Sequence, residues 1–528
     1  MDNDEIFLEK LGYKQELKRE LTSFSNFAVS FTIISILTGI NSLFTFGLTN
    51  GGPVGLVWGW TLVALFSGLV SLSMAEICSA YPTSGGLYFW SAQLAGKQHA
   101  PVYSWITGWF NLIGQVATTA GIDFGLATFI LNVIASNNSD FVPVAWHNLL
   151  LYLAILVIHG LLNTFANKIV KFLCDVSVWW HIFGTLIIVI TVLAGAPSRE
   201  SAGFVFTTFN KDPTAGLPSD AYIFFIGLLT AQYTFTGFDA SAHMTEETKN
   251  AAVAGPVGIV LSVVISFVAG LFYIVGLLFA MPDITSTIQG GLPAIFANSV
   301  GQVGSNLLSV IVMGAMFFAG MSSLTANSRM MFAFARDGAL PFSNVWHTIN
   351  PDTKTPVASV WLGVLLCFVL GLPVLSDPVR ALSSGVPVAF TAITSIAVIG
   401  LYISYVIPVF LRLTISRDRF VPGPFHLGKF SPVVGWISVL WVAFITVLFV
   451  LPTSLPNDLN SATFTWENNL NYTGPMVVFF TLLFMAWWAV DARRWFKGPK
   501  VIERSVSDME FPKVVEQQPS QATVTSAI

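Results

Sequence analysis

The sequence predicts an all-α polytopic membrane protein of twelve transmembrane helices, the first and sixth of them discontinuous. Three observations predict it. The chain is 54% hydrophobic and 10% charged, with a mean hydropathy of +0.72, whereas a soluble chain carries about 25% charged residues. Apolar stretches of ~20 residues, enough to cross a bilayer, recur along the chain. Two of them carry the same interruption: Thr38-Gly39-Ile40-Asn41-Ser42 and Thr236-Gly237-Phe238-Asp239-Ala240. Backbone unwinds inside a membrane only where protein or a water-filled cavity covers it. Glycine-interrupted spans at corresponding positions of two halves point to an internal repeat with a binding site between its copies.

The stretches begin near Asn26, Val54, Val102, Asn148, Val176, Ala221, Pro256, Ser305, Val357, Val386, Val433 and Gly474. An even number of spans puts both termini on one side. With that side cytosolic, the outer loops receive only Arg199, Lys211 and Arg380 of the 24 Lys and Arg, which is the positive-inside bias. Residues 1–25 read as a cytosolic N-terminal tail, with Lys10, Lys14, Lys18 and Arg19 and no apolar core of a cleavable signal. Residues 26–490 form the twelve-helix domain. Residues 491–528, polar and rich in Ser, Gln and Val, read as a flexible cytosolic tail. Two glycosylation sequons, at Asn137 and Asn471, fall in outer loops.

A half-helix that ends in mid-membrane exposes unpaired N–H or C=O groups and a dipole end. Amides around Thr38, Gly39 and Ile40 suit a carboxylate, and carbonyls near Tyr233 and Thr236, beside Gly237, suit an ammonium. The Tyr233 ring can cover an amine or act as a gate, helix packing being the alternative for any one aromatic. Asp239 is an intramembrane carboxylate, a functional candidate by default. No Lys or Arg in a span pairs with it, so it reads as a lone group suited to a proton carrier or an amine partner. Bonding to the loose backbone of the break is the alternative. Asp123 in span 3 is a second such candidate. Histidine shuttles protons near neutral pH. Of His159, His181 and His243, His181 in span 5 is the first to test, although a histidine satisfied within the packing is the commoner case.

Other classes of function leave no signature. There is no P-loop, HExxH or GxSxG, no potassium-channel filter, no basic patch for nucleic acid and no metal spacing. No cofactor is expected. Cys78, Cys174 and Cys367 lie in or beside apolar stretches, without a CxxC pair or a disulfide framework.

Three motifs then carry a resemblance. They are Ala75-Glu76 through Tyr81-Pro82-Thr83-Ser84-Gly85-Gly86-Leu87-Tyr88, Gly237 through Glu246-Glu247-Thr248-Lys249-Asn250-Ala251, and Ser328-Arg329 through Arg336-Asp337-Gly338-Ala339-Leu340-Pro341. Together, over about Phe24 to Trp488, they resemble the amino acid–polyamine–organocation permeases. The nearest likeness is to the amino acid/choline transporter branch, with fungal GABA and choline permeases and plant bidirectional amino acid transporters. The resemblance implies a leucine-transporter-type five-plus-five inverted repeat with two extra spans. It implies substrate carboxylate at Thr38, Gly39 and Ile40, amine at Tyr233 and Thr236, an aromatic gate at Tyr233, and an acidic residue at Asp239. Leu37 stands where many relatives have glycine, and its side chain is expected to crowd the carboxylate of an α-amino acid.

The expectation is therefore not an enzyme. It is a secondary active transporter of amino acids or related amines such as GABA or choline, working by alternating access with proton coupling or exchange. It would sit in the plasma membrane, the vacuolar membrane being the alternative. A nutrient sensor of the same fold and a channel are the rival readings. Saturable uptake with counterflow separates the transporter from the channel.

Overall fold

The computed structural model describes residues 3–138, 140–165, 167–213, 216–376, 388–453 and 470–499. Arg380, Val386, the Ser139 of one sequon and the tail from 500 onward lie outside the described residues.

Among the described residues, eleven helices are long and apolar enough to cross a membrane. The sixth stretch supplies a twelfth span, cut into Asp220–Gly227, Leu229–Thr234 and Ala240–His243. Span 1 is Ser23–Ile34 with Ile36–Thr49. Span 2 is Gly52–Ala80, span 4 Ala145–Phe165, span 5 Asn167–Gly195 and span 7 Ala251–Ala280. Spans 3 and 8 lie within the longer helices Gly86–Asn137 and Leu292–Arg336. Spans 9 to 12 are Val357–Gly371, Val388–Leu413, Ser431–Leu448 and Thr473–Trp487.

The two long helices reveal the repeat. Each bends once at a glycine with nearly the same backbone, Gly96 at φ 72°, ψ 165° and Gly301 at φ 71°, ψ 176°. Positive φ of this kind comes at little cost only to glycine. Span 3 is third in the first five, and span 8 is third in the second. The packing repeats too. Span 5 on span 8 mirrors span 10 on span 3, and span 7 on span 1 mirrors span 2 on span 6.

The break in span 1 lies earlier than the Thr-Gly pair. Thr22 caps Ser23–Ile34 by accepting from the Ser25 amide. That helix ends at Ser35, whose backbone (φ 5°, ψ 96°) is not helical. The Thr38 and Gly39 amides both donate to the Ser35 carbonyl at 2.9 Å. Thr38, Gly39 and Ile40 are thus the first turn of the second half-helix, not unwound chain with free amides. At the break the Ser35 hydroxyl has two side-chain partners, Thr38 Oγ1 and His181 Nε2, each at 2.6 Å. The break in span 6 falls where the pattern places it, at Gly237 with φ 88°.

Two end segments differ from the expected tails. Asn3–Lys10 is helical, and Phe7, Leu8, Leu11, Tyr13 and Leu17 are buried against the end of the bundle. Leu21 bridges to Thr248, and Arg19 Nη1 donates to the Thr248 carbonyl at 2.5 Å. Polar spacing hid these apolar anchors. At the other end, Asp491 to Trp495 continue span 12, with Trp487 and Trp495 donating to Asp491 Oδ2 and both rings packing on Trp105.

Candidate functional site

The second half of span 1 starts at Ile36, and Leu229–Thr234 of span 6 stops beside it. A positive helix end and a negative helix end therefore meet in the middle of the bundle. Gly39 permits the approach. A Cβ there would stand 2.8 Å from the Thr234 Cα and closer still to its hydroxyl. Gly39 is thus needed for helix contact rather than for unwinding.

Tyr233 is buried next to this junction, and its hydroxyl has no hydrogen-bond partner. The hydroxyl presses on Gly121 of span 3, 2.5 Å from where a Cβ would be. Buried polar groups are normally satisfied, and Tyr233 Oη is one of the exceptions among the described residues. Asn41 Nδ2 and Ser42 Oγ, also buried and unpartnered, open onto a cavity of about 280 Å³. Thr45, Phe129, Met316 and Phe390 line it as well. It faces the end of the bundle away from the N-terminal segment. A second cavity, of about 470 Å³, enters from the N-terminal face between Val29 of span 1, Cys174 of span 5, Met244 and Thr325 of span 8.

One expected ligand carbonyl, that of Tyr233, is already engaged. The Tyr233 carbonyl accepts from the Thr236 amide at 3.2 Å and from the Thr236 hydroxyl at 2.5 Å. Leu37 reaches span 5, its Cδ1 3.6 Å from where a Gly184 Cβ would stand. The crowding expected from Leu37 is therefore directed at span 5.

Asp239 is not lone. Its Oδ2 accepts from Gln115 Nε2 at 2.8 Å and Asn111 Nδ2 at 3.0 Å, and lies 3.2 Å from His243 Nε2. Its Oδ1 accepts from the Tyr405 hydroxyl at 2.6 Å. All of these groups are buried. His243 lies one helical turn on from Asp239, and the donors from spans 3 and 10 are remote from it in sequence. Asp123 is likewise paired, its Oδ2 3.1 Å from His159 Nδ1, while Asp123 Oδ1 and His159 Nε2 have no partner.

His181 holds the other break. Its Nδ1–H donates to the Ser177 carbonyl at 2.7 Å, so its Nε2 accepts from the Ser35 hydroxyl. Each break is thus tied by the fifth helix of its own repeat. Span 5 reaches Ser35 through His181. Span 10 reaches span 6 through Tyr405, whose hydroxyl also accepts from the Gly237 amide at 3.1 Å.

The three sequence motifs converge on the N-terminal face. Ser84 donates through its amide and hydroxyl to Glu246 Oε1, at 3.0 and 2.6 Å. Glu246 pairs with Arg336 at 3.2 Å, and Glu247 with Arg329 at 2.9 Å. Tyr88 and Tyr13 both donate to Asp337 Oδ2, and the Arg336 guanidinium stacks 4.1 Å from the Tyr13 ring centroid. Burial raises the Glu246 carboxyl, but the Arg336 guanidinium and the Ser84 hydrogen bonds outweigh it and hold the group below the usual carboxylate value.

On the opposite face, Asn137 is exposed and pairs with Asn306 at 2.8 Å, while the Asn471 amide donates to the Phe449 and Leu451 carbonyls.

Comparison with known proteins matches a family model described as Amino acid permease to residues 21–482. Amino-acid permease BAT1 of Arabidopsis thaliana is 46% identical over 521 residues, spanning 94% of this chain and 96% of the relative. Its homolog in Oryza sativa subsp. japonica is 45% identical, spanning 94% and 96%. An uncharacterized amino-acid permease of Schizosaccharomyces pombe is 33% identical, spanning 95% and 90%.

Proposed function

The chain belongs to the amino acid permease family and transports amino acids across a membrane, and we propose that it does so as a secondary active transporter working by alternating access around the breaks in spans 1 and 6. The two cavities, which open on opposite faces and are lined on one side by Asn41 and Ser42 beyond the span 1 break and on the other by Val29 before it and Met244 after the span 6 break, carry this reading. The substrate carboxylate lies at the positive start of Ile36–Thr49, near Thr38, Gly39 and Ile40, drawn by the helix end and not by the Thr38 and Gly39 amides, which bond Ser35. The amine lies at the end of Leu229–Thr234, under Tyr233 and near Thr236, Gly237 and Asp239. A zwitterion matches the opposed helix ends, and GABA and choline belong in the same test. The N-terminal face is cytosolic, in keeping with the few cations in the opposite loops, and the membrane proposed is the plasma membrane, the vacuolar membrane being the alternative.

The experiment is uptake of a labelled panel (the amino acids, GABA, choline, polyamines) by cells lacking their own carriers. Saturable uptake of amino acids is expected, and no uptake above control cells for any compound would refute the reading. Tyr233 gives the finer test. The amine is assigned to the ring face and not to the hydroxyl, so Tyr233→Phe, which keeps the ring, is expected to stay within about twofold of wild type. Tyr233→Ala removes the ring face over the amine and is expected to cost at least about tenfold in uptake. Equal transport by both variants would place Tyr233 in packing alone.

A further inference from the structure

Beside the amino acid site, the hydrogen-bond directions around His243 fix a proton. The Nδ1 of His243 is 3.0 Å from the Ser84 carbonyl, and a carbonyl only accepts. Nδ1 must therefore carry a hydrogen. The other ring nitrogen, Nε2, is 3.2 Å from Asp239 Oδ2. With Nδ1 protonated, a neutral imidazole presents a lone pair at Nε2. Facing a carboxylate, that lone pair would meet another in a site closed to water, both residues being fully buried. The contact is favourable only with one proton between the two atoms, on the imidazole or on the carboxyl.

From this geometry we infer that Asp239 and His243 together form the binding site for one transported proton, and that the conformation described is its loaded form. This rests on the transporter reading and adds its coupling ion. The other titratable groups facing the pair are Tyr405 and, behind it, Tyr402 on span 10, with Glu246 after span 6. Arg336 on span 8 stands behind Glu246. Span 3 contributes only the neutral donors Asn111 and Gln115. Span 1 contributes Ser30, which donates to the Phe238 carbonyl.

The pair is also tied to the closure of the N-terminal face. Ser84 accepts from His243 and donates to Glu246, which holds Arg336. When the proton leaves toward that face, the two lone pairs repel. His243 must then turn away from either Asp239 or Ser84. Turning from Ser84 loosens the residue that orients Glu246, so proton release and opening of this face become one event. Loading from the opposite side restores the contact.

The test uses the full chain in proteoliposomes with the membrane potential clamped at zero. One proton moving with each substrate permits about tenfold accumulation per pH unit of gradient, since one unit is 1.36 kcal/mol. Wild type is expected to reach that order, and a lumenal pH dye should report acidification in step with substrate entry. His243→Gln, which has no exchangeable ring proton, is expected to accumulate no substrate above equilibrium while still exchanging internal for external substrate measurably. PH-driven accumulation by His243→Gln equal to wild type would overturn the inference. So would substrate entry into wild-type vesicles with no proton movement, a result that needs no variant and stands even if His243→Gln does not fold. Absence of exchange of any amino acid by wild type would instead overturn the transporter reading, and this inference with it.

Discussion

Glu246→Gln is expected to produce the largest loss, about 3–5 kcal/mol of stability, with transport abolished. Glu246 is fully buried and its partner Arg336 nearly so. Removing one member of such a pair leaves the other charge buried without compensation. The same residue anchors Ser84, and Arg336 is also held against the Tyr13 ring, so the closure of the N-terminal face loosens with it. Thermal unfolding of the purified variant measures the effect. A drop of no more than about 1 kcal/mol, as for an exposed pair, would show that Glu246 and Arg336 are solvated. The pH dependence follows from the lowered carboxyl of Glu246. A carboxyl held below its unfolded value near ~4.3 contributes stability that is present above that value and lost as pH falls through the folded one. Wild type is therefore expected to lose stability on acidification below about pH 4, with a shallower loss in Glu246→Gln.

Gly39→Val is the second large effect. The first carbon of any side chain at Gly39 already overlaps Thr234, main chain included, at 2.8 Å from its Cα. Because the obstruction is backbone, rotamer changes cannot relieve it, and overpacking of this kind costs about 1–3 kcal/mol. The strain falls at the junction of spans 1 and 6, where the two half-helix ends meet. Uptake is expected to fall by ~100-fold or more, the rate equivalent of about 2.7 kcal/mol, while surface expression stays near normal. Near-normal uptake in Gly39→Val would remove span 1 from the substrate site.

Much of the architecture was legible because membranes restrict it so strongly. Apolar length marked the spans, and the paired Thr-Gly segments marked the repeat that Gly96 and Gly301 then display in the backbone. The exact position of the span 1 break was not legible. Ser35 sits in an apolar run without a glycine, and its role depends on His181 from span 5. The N-terminal segment was missed because its apolar anchors are spaced among charges and bury only against a distant part of the chain. Asp239 was found as an intramembrane carboxylate, but its four partners come from spans 3, 6 and 10, which sequence order does not bring together. Asn41 and Ser42 stood in the quoted motif, yet only the cavity gives them a role.

Counterflow tests alternating access most directly. Proteoliposomes holding the full chain are loaded with unlabelled amino acid, without gradients of pH or potential, and tracer is added outside. A carrier whose single site faces one cavity and then the other is expected to draw tracer in above its equilibrium level, transiently, with a rate that saturates in substrate. Tracer entry that rises linearly with concentration and ignores the internal amino acid would contradict the account and mark an open pore.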